Sequence, residues 1–160
     1  MSSEAPNVVV EEGRARLIVG TAKDYTMETR GQIPAQWQAF FGAGYEIDGV
    51  SDDAMYGLSF SADPSGGFRY GVGLEVKEEP AVLPEGCCVM HASAGAYAVL
   101  RMFGPMTELP AHMDWLFCEW LPASGMTQRE GAVFERYPPD PRNSQDAMAY
   151  ELWMPINGAA

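Results

Sequence analysis

The chain is 160 residues long, the size of one domain, and at that length folding withdraws roughly 70% of the unfolded surface from water, enough to build a core. Its 22 Asp and Glu outweigh 10 Lys and Arg to leave a net charge of −12; a field of that sign repels phosphate backbones and anionic membranes and favours cationic ligands or partners. No apolar run reaches about 18 residues, and MSSEAPN lacks the basic and apolar regions of a secretory signal, so a cytoplasmic protein bound to neither membrane nor nucleic acid is expected.

Residues 1–6 are small and polar and read as a disordered tail, followed by a single domain over 7–157. VVVEEGRARLIVGTA is rich in aliphatic residues and reads as a strand with Gly13 as a possible bend. In IPAQWQAFF, Ile33, Trp37, Phe40 and Phe41 share one helical face, with Pro34 tolerated in the first turn. AMYGLSFSA and GFRYGVGLEV flank DPSGG, a turn signal, and predict an antiparallel hairpin.

The same order then recurs. GCCVMHASAGAYAVLRMFG reads as a long strand, broken near Gly95. LPAHMDWLFCEWLPASG predicts a helix whose apolar face holds Leu109, Met113, Leu116, Phe117, Trp120 and Leu121, with Thr107 as N-cap and Gly125 past its end. GAVFERY and MAYELWMPI form a second strand pair around PPDPRNSQD. IPAQWQAFF aligns with LPAHMDWLF, and FRYGVGLEV with MAYELWMPI, pairing Tyr70 with Tyr150 and Val72 with Leu152. These matches predict an α+β fold: a duplicated β-α-β-β unit spanning about 7–78 and 84–156, an antiparallel sheet with two helices packed on it, and a ligand cleft between the halves.

The duplication isolates an asymmetry. Side chains alternate along a strand, so Glu151 and Trp153 share one face, and the aligned positions in the first half are Gly71 and Gly73. Strand glycines mark places where something approaches the backbone closely, which points to a groove. If Glu135 and Tyr137 of VFERY also face it, the groove holds two carboxylates and several rings, with Tyr70, Tyr97 and Trp37 as further walls. Such a site suits an organic cation, each ring adding roughly 0.5–2 kcal/mol of cation–π attraction. The alternative readings are a solvated Glu135 and a Glu151 that is solvated or paired with Arg136 or Arg69, while helix-face aromatics such as Trp37, Trp115 and Trp120 commonly serve packing alone.

No metal or other cofactor is expected. Cys87 and Cys88 are adjacent and Cys118 is remote, which is neither a disulfide framework nor a zinc spacing. His91 and His112 have no Asp, Cys or Glu at ligand spacing.

In order and spacing, IPAQWQAFF, YAVLRMFGPMTELPAHMDWLFCEWLPASG, FERYPPD and YELWMPI resemble the GyrI-like effector-binding domains of AraC-type and multidrug-sensing MerR-type regulators and of stand-alone gyrase-inhibitory proteins. The likeness runs from about residue 7 to 156 and implies a cleft in which a buried glutamate ringed by aromatics captures lipophilic cations. By motif that glutamate is Glu135, with Glu151 kept as the second candidate and Trp153 as a wall. No helix-turn-helix segment precedes residue 7, so the expected function is a stand-alone binder of hydrophobic, cationic small molecules rather than a transcription regulator by itself. Two alternatives come with the likeness: a hydrolase of strained cyclopropane rings using the same glutamate as general base, and a module that inhibits gyrase or another protein partner through its acidic surface.

Overall fold

The structure, a computed structural model, describes residues 8–26, 28–60 and 66–157. The expected tail 1–6 and most of the turn DPSGG lie outside them. Among the described residues nine strands run as β1 (Val8–Gly13), β2 (Arg16–Tyr25), β3 (Val50–Phe60), β4 (Phe68–Val76), β5 (Cys88–Ala92), β6 (Gly95–Gly104), β7 (Thr127–Gln128), β8 (Val133–Tyr137) and β9 (Met148–Asn157). Helix α1 (Ile33–Ala43) lies between β2 and β3, while α2 (Leu109–Trp115) and α3 (Leu121–Ser124) lie between β6 and β7.

The strands pair antiparallel in the order β1-β6-β9-β8-β3-β4-β2-β5, with β7 added on β9. Within it β2-β4-β3 is the sheet of the first unit and β8-β9-β6 that of the second, and the two units meet where β3 pairs with β8. The expected hairpin partners pair as read, with Leu74 opposite Met55 and Phe134 opposite Trp153.

The leading strands correct the sequence reading. Val8–Ala22 is not one bent strand: β1 pairs with β6 and β2 with β4 and β5, at opposite ends of the order. Only Arg14 and Ala15 separate them, a link that reaches about 11 Å at full extension. β5 and β6 are split in the same way at Ser93 and Ala94. Each unit therefore lends its leading strand to the other, and the two ends of the sheet are drawn together so that the sheet curls. The Arg16 guanidinium accordingly lies 4.8 Å from the ring of Trp153 and 5.2 Å from that of Phe134, although β2 is remote from β8 and β9 in the strand order.

The curl gives the sheet an inner and an outer face. On the inner face Ile18, Tyr56, Met90, Tyr97, Phe134 and Trp153 pack into one core drawn from both ends of the sheet. On the outer face α1 covers β4, where Phe40 packs with Tyr25, Tyr70 and Val72. The second helical segment covers β6, β8 and β9 through Leu116, which meets Leu100, Leu152, Met154 and Ile156.

The second helix also departs from expectation. Thr107 is not an N-cap: it lies inside a short 3₁₀ turn, Met106–Glu108, and α2 starts from Glu108 with no side-chain cap. The helix then widens into a π turn over Leu116–Trp120, where the Leu121 N–H donates to the Leu116 carbonyl five residues back. Pro122 accounts for the widening, because its ring lacks an N–H and collides with the carbonyl four residues earlier, and a wider turn relieves both problems. Gly125 closes this segment at φ 77° and Gly44 closes α1 at φ 62°. At Gly44 an added Cβ would meet nothing within 4 Å, so the cost of Gly44→Ala isolates the left-handed backbone: about 1 kcal/mol, or roughly 2–4 °C in Tm for a domain this size. Thermal unfolding of the variant checks it.

Candidate functional site

The structure sorts the candidate residues onto the two faces. Glu151, Trp153, Gly71, Gly73 and Tyr97 belong to the inner face, with Trp153 and Tyr97 in its core. Glu135, Tyr137, Tyr70 and Trp37 gather on the outer face at the seam between the units. The expectation of two carboxylates in one groove is thus corrected: alternation along β8 puts Phe134 inward, so Glu135 points outward.

At the seam, Glu135 is 7% exposed. The Tyr70 hydroxyl donates to its Oε1 at 3.0 Å and the Tyr137 hydroxyl donates to the same oxygen. Trp37 Nε1 donates to the Tyr70 hydroxyl at 3.2 Å, and the Trp37 and Tyr137 rings meet edge to face with centroids 5.3 Å apart. Among the described residues no cation lies within ion-pair distance of this carboxylate, and none donates a hydrogen bond to Oε2. Burial pushes the Glu135 carboxyl above its ordinary value, against the two tyrosine hydrogen bonds that lower it. The Tyr70 and Tyr137 phenols are driven well up, first by burial and then by the neighbouring carboxylate, which keeps them protonated as donors.

Glu151 is buried too, at 8% exposure, but it is compensated. It accepts from Arg136 Nη1 at 3.1 Å and from Trp153 Nε1 at 2.9 Å, and Arg101 Nε lies 3.5 Å away. Arg136 Nε donates to the Tyr56 hydroxyl at 3.2 Å, which donates to Glu75 Oε1 at 3.1 Å, and Arg14 forks onto the Glu75 carboxylate. A polar chain therefore crosses the inner face with its carboxylates matched by arginines. Of the alternatives read from sequence, Glu151 takes Arg136 as its partner and not Arg69, which faces Asp24.

The inner-face glycines leave no groove at Gly71 or Gly73. A Cβ on Gly71 would sit 2.0 Å from Met90 Sδ, and one on Gly73 would sit 2.3 Å from the Val19 carbonyl. The close approach that strand glycines signal is therefore made by two other strands, by β5, lent from the second unit, through Met90 and by the adjacent β2 through its backbone. Two open hollows of about 620 and 370 Å³ lie away from Glu135, one beside the Arg14–Arg16 link and the other beside Arg101, Pro138 and Arg142. Among the described residues no group of His, Cys, Asp and Glu is placed to hold a metal ion.

Gly57 is the seam residue that sequence reasoning missed. It lies directly opposite Glu135 in the β3–β8 pairing, and a Cβ there would stand 2.1 Å from the Tyr70 hydroxyl and 3.0 Å from Trp37 Cζ2. The missing side chain makes room for Tyr70 to reach Glu135, and the available signal was a glycine in mid-strand in AMYGLSF. Gly57→Ala is expected to push Tyr70 aside at a cost of about 1–3 kcal/mol, measurable by denaturant unfolding.

Two helical segments, α1 and the run from α2 to α3, on one face of a curled antiparallel sheet built by duplicating a β-α-β-β unit define an α+β domain. The model of the GyrI-like small-molecule-binding domain matches residues 6–157, and the chain belongs to that family. It is 30% identical over 136 residues to the transcriptional regulator BrlR of Pseudomonas aeruginosa, a match covering 81% of this chain and 47% of BrlR, so the chain spans about half the length of that relative. Its fold is similar to that of SAV2435 solved with bound tetraphenylphosphonium, at a TM-score of 0.75 and 17% identity, covering 95% of this chain and 94% of the other. It is also similar to the C-terminal domain of EcmrR, at a TM-score of 0.66 and 10% identity over 96% and 99% of the two chains. Among the described residues no helix is long and apolar enough to cross a membrane.

Proposed function

We propose that this small-molecule-binding domain takes a lipophilic organic cation at the seam between β3 and β8, with Glu135 as the charge partner. The observation that carries the reading is a buried carboxylate that two tyrosines engage through one oxygen, with no cation beside it among the described residues. A charge so placed is costly unless something neutralises it, by a proton or by a cation from outside. The walls suit the second: Tyr70, Tyr137 and Trp37 present ring faces and edges, each able to contribute roughly 0.5–2 kcal/mol toward a desolvated cation. Phe41, 58% exposed, stands 6.1 Å from Trp37 by ring centroids and extends the aromatic surface outward. Tetraphenylphosphonium bound to the similarly folded SAV2435 is a cation of this class.

The seam is closed by its own side chains, so binding requires Trp37 and Tyr137 to part and let the ligand reach Glu135. Trp37 then reports on the event directly. Titration with tetraphenylphosphonium is expected to give a saturable change in tryptophan emission, and a flat response up to millimolar concentrations rules the reading out.

A further inference from the structure

The larger hollow, about 620 Å³, opens on the inner side where the two inter-strand links pass each other. Arg14, Arg16, Ser51, Lys77, His91 and Ser93 line it. In a chain of net charge −12 this is a local concentration of positive charge. Glu75 also borders the hollow, but its carboxylate is taken up by the Arg14 fork and the Tyr56 hydroxyl.

Arg16 is the exceptional member. It is 8% exposed, and its Nε is buried with no hydrogen-bond partner among the described residues. Among the described residues its one side-chain hydrogen bond runs from Nη1 to the Arg14 carbonyl at a long 3.4 Å, and no carboxylate lies within ion-pair distance. The rings of Phe134 and Trp153 hold the guanidinium in place but offer it no acceptor. Arg101 and Arg136, on the same face, both reach Glu151. A guanidinium is a rigid fork suited to two oxygens of a carboxylate or phosphate, and one withdrawn from water with a single long hydrogen bond to a neutral carbonyl lacks the charged acceptor that its burial calls for.

We propose that this hollow is an oxyanion site, with Arg16 as the main anchor and Lys77 as a second charge at the rim, for a small molecule bearing a carboxylate or phosphate group. It is separate from the seam, faces the opposite side of the sheet and takes a ligand of opposite charge. The distant acidic residues do not forbid this, because charges more than about 8 Å away across solvent are largely screened at physiological ionic strength.

The test follows backbone amide NMR shifts during separate titrations with inorganic phosphate and with citrate in a low-salt, non-coordinating buffer. Saturable shifts centred on residues 14–17 and 91–93 are expected with at least one of the two, and the tighter arm identifies phosphate or carboxylate as the preferred group. Arg16→Met, which keeps the packing of the stem, is expected to weaken binding by about tenfold or more, and Lys77→Gln by a few-fold. Shifts that fail to saturate in both arms, that scatter over the surface, or that persist unchanged in Arg16→Met overturn the proposal. If Arg16→Met does not fold, undiminished binding by Lys77→Gln, altered at an exposed position, overturns it in the same way.

Discussion

Glu135→Gln is expected to weaken tetraphenylphosphonium binding by about 30- to 900-fold, equivalent to roughly 2–4 kcal/mol, while making the ligand-free protein more stable. The two effects have one origin. The carboxylate is buried with no cation beside it among the described residues, so in the free protein its charge opposes folding, and in the proposed complex it is the ligand's counter-charge. The pH dependence follows from the raised pKa. Below the ordinary carboxylate range Glu135 is protonated in both folded and unfolded chains and carries no penalty. As pH climbs from that range through the raised folded value, the unfolded chain releases its proton first, and the Glu135 contribution to stability falls until the folded carboxyl has ionised. Affinity for the cation moves the opposite way, rising over the folded titration and levelling above it. Calorimetric titration and thermal unfolding of wild type and Glu135→Gln across pH check both slopes, and the variant should show neither. Loss of stability in Glu135→Gln, or unchanged affinity, would remove Glu135 from the proposed role.

Glu151→Ala should do the reverse, destabilising the protein by about 3 kcal/mol and lowering Tm by roughly 6–12 °C. Here the carboxylate holds Arg136 at 3.1 Å and the Trp153 indole N–H at 2.9 Å, and both partners are drawn from the largely buried inner face. Removing it takes the acceptor from Arg136 Nη1 and from the Trp153 N–H together, the expensive way to break an internal pair, whereas replacing the whole pair with apolar groups is far milder. Arg136→Met combined with Glu151→Leu should therefore recover much of the loss, and a double-mutant cycle measures the coupling. Glu151→Ala should leave tetraphenylphosphonium affinity nearly unchanged, since the residue looks away from the seam. The two glutamates are thereby separated by the sign of their stability change and by their effect on the ligand.

Much of this organisation was legible in the residues. The apolar face of the second helical segment, most of that of α1, the hairpin partners and the equivalence of Tyr70 with Tyr150 follow from local periodicity, because an element buries the stripe that its own spacing creates. On α1 the register differs at two positions, Phe41 standing 58% exposed while Gln36 is buried by its hydrogen bonds to Tyr25, Thr21 and Tyr70. The common face of Glu151, Trp153, Gly71 and Gly73 was legible for the same reason. The phase of β8 relative to β9 was not: alternation fixes which residues of one strand agree with each other, while the pairing of Phe134 with Trp153 decides which set turns inward. That choice carried Glu135 and Tyr137 to the other side from Glu151. The parting of β1 from β2 was hidden as well, because two residues at a bend look alike whether the chain continues alongside itself or departs to another unit. The role of Arg16 depends on that departure, and nothing in VVVEEGRARLIVGTA points to Trp153 as its neighbour.

The exchange of leading strands also governs how the molecule must assemble. Gly13 pairs with Gly95 and Val8 with Leu100, so the edge of the later unit is supplied by the first residues described, and β5 repays the debt on β2. Neither unit can complete its sheet from its own segment of chain. The entropy of closing such long loops falls due before the reward of packing arrives, which makes for slow, concerted folding rather than stepwise maturation of two independent lobes.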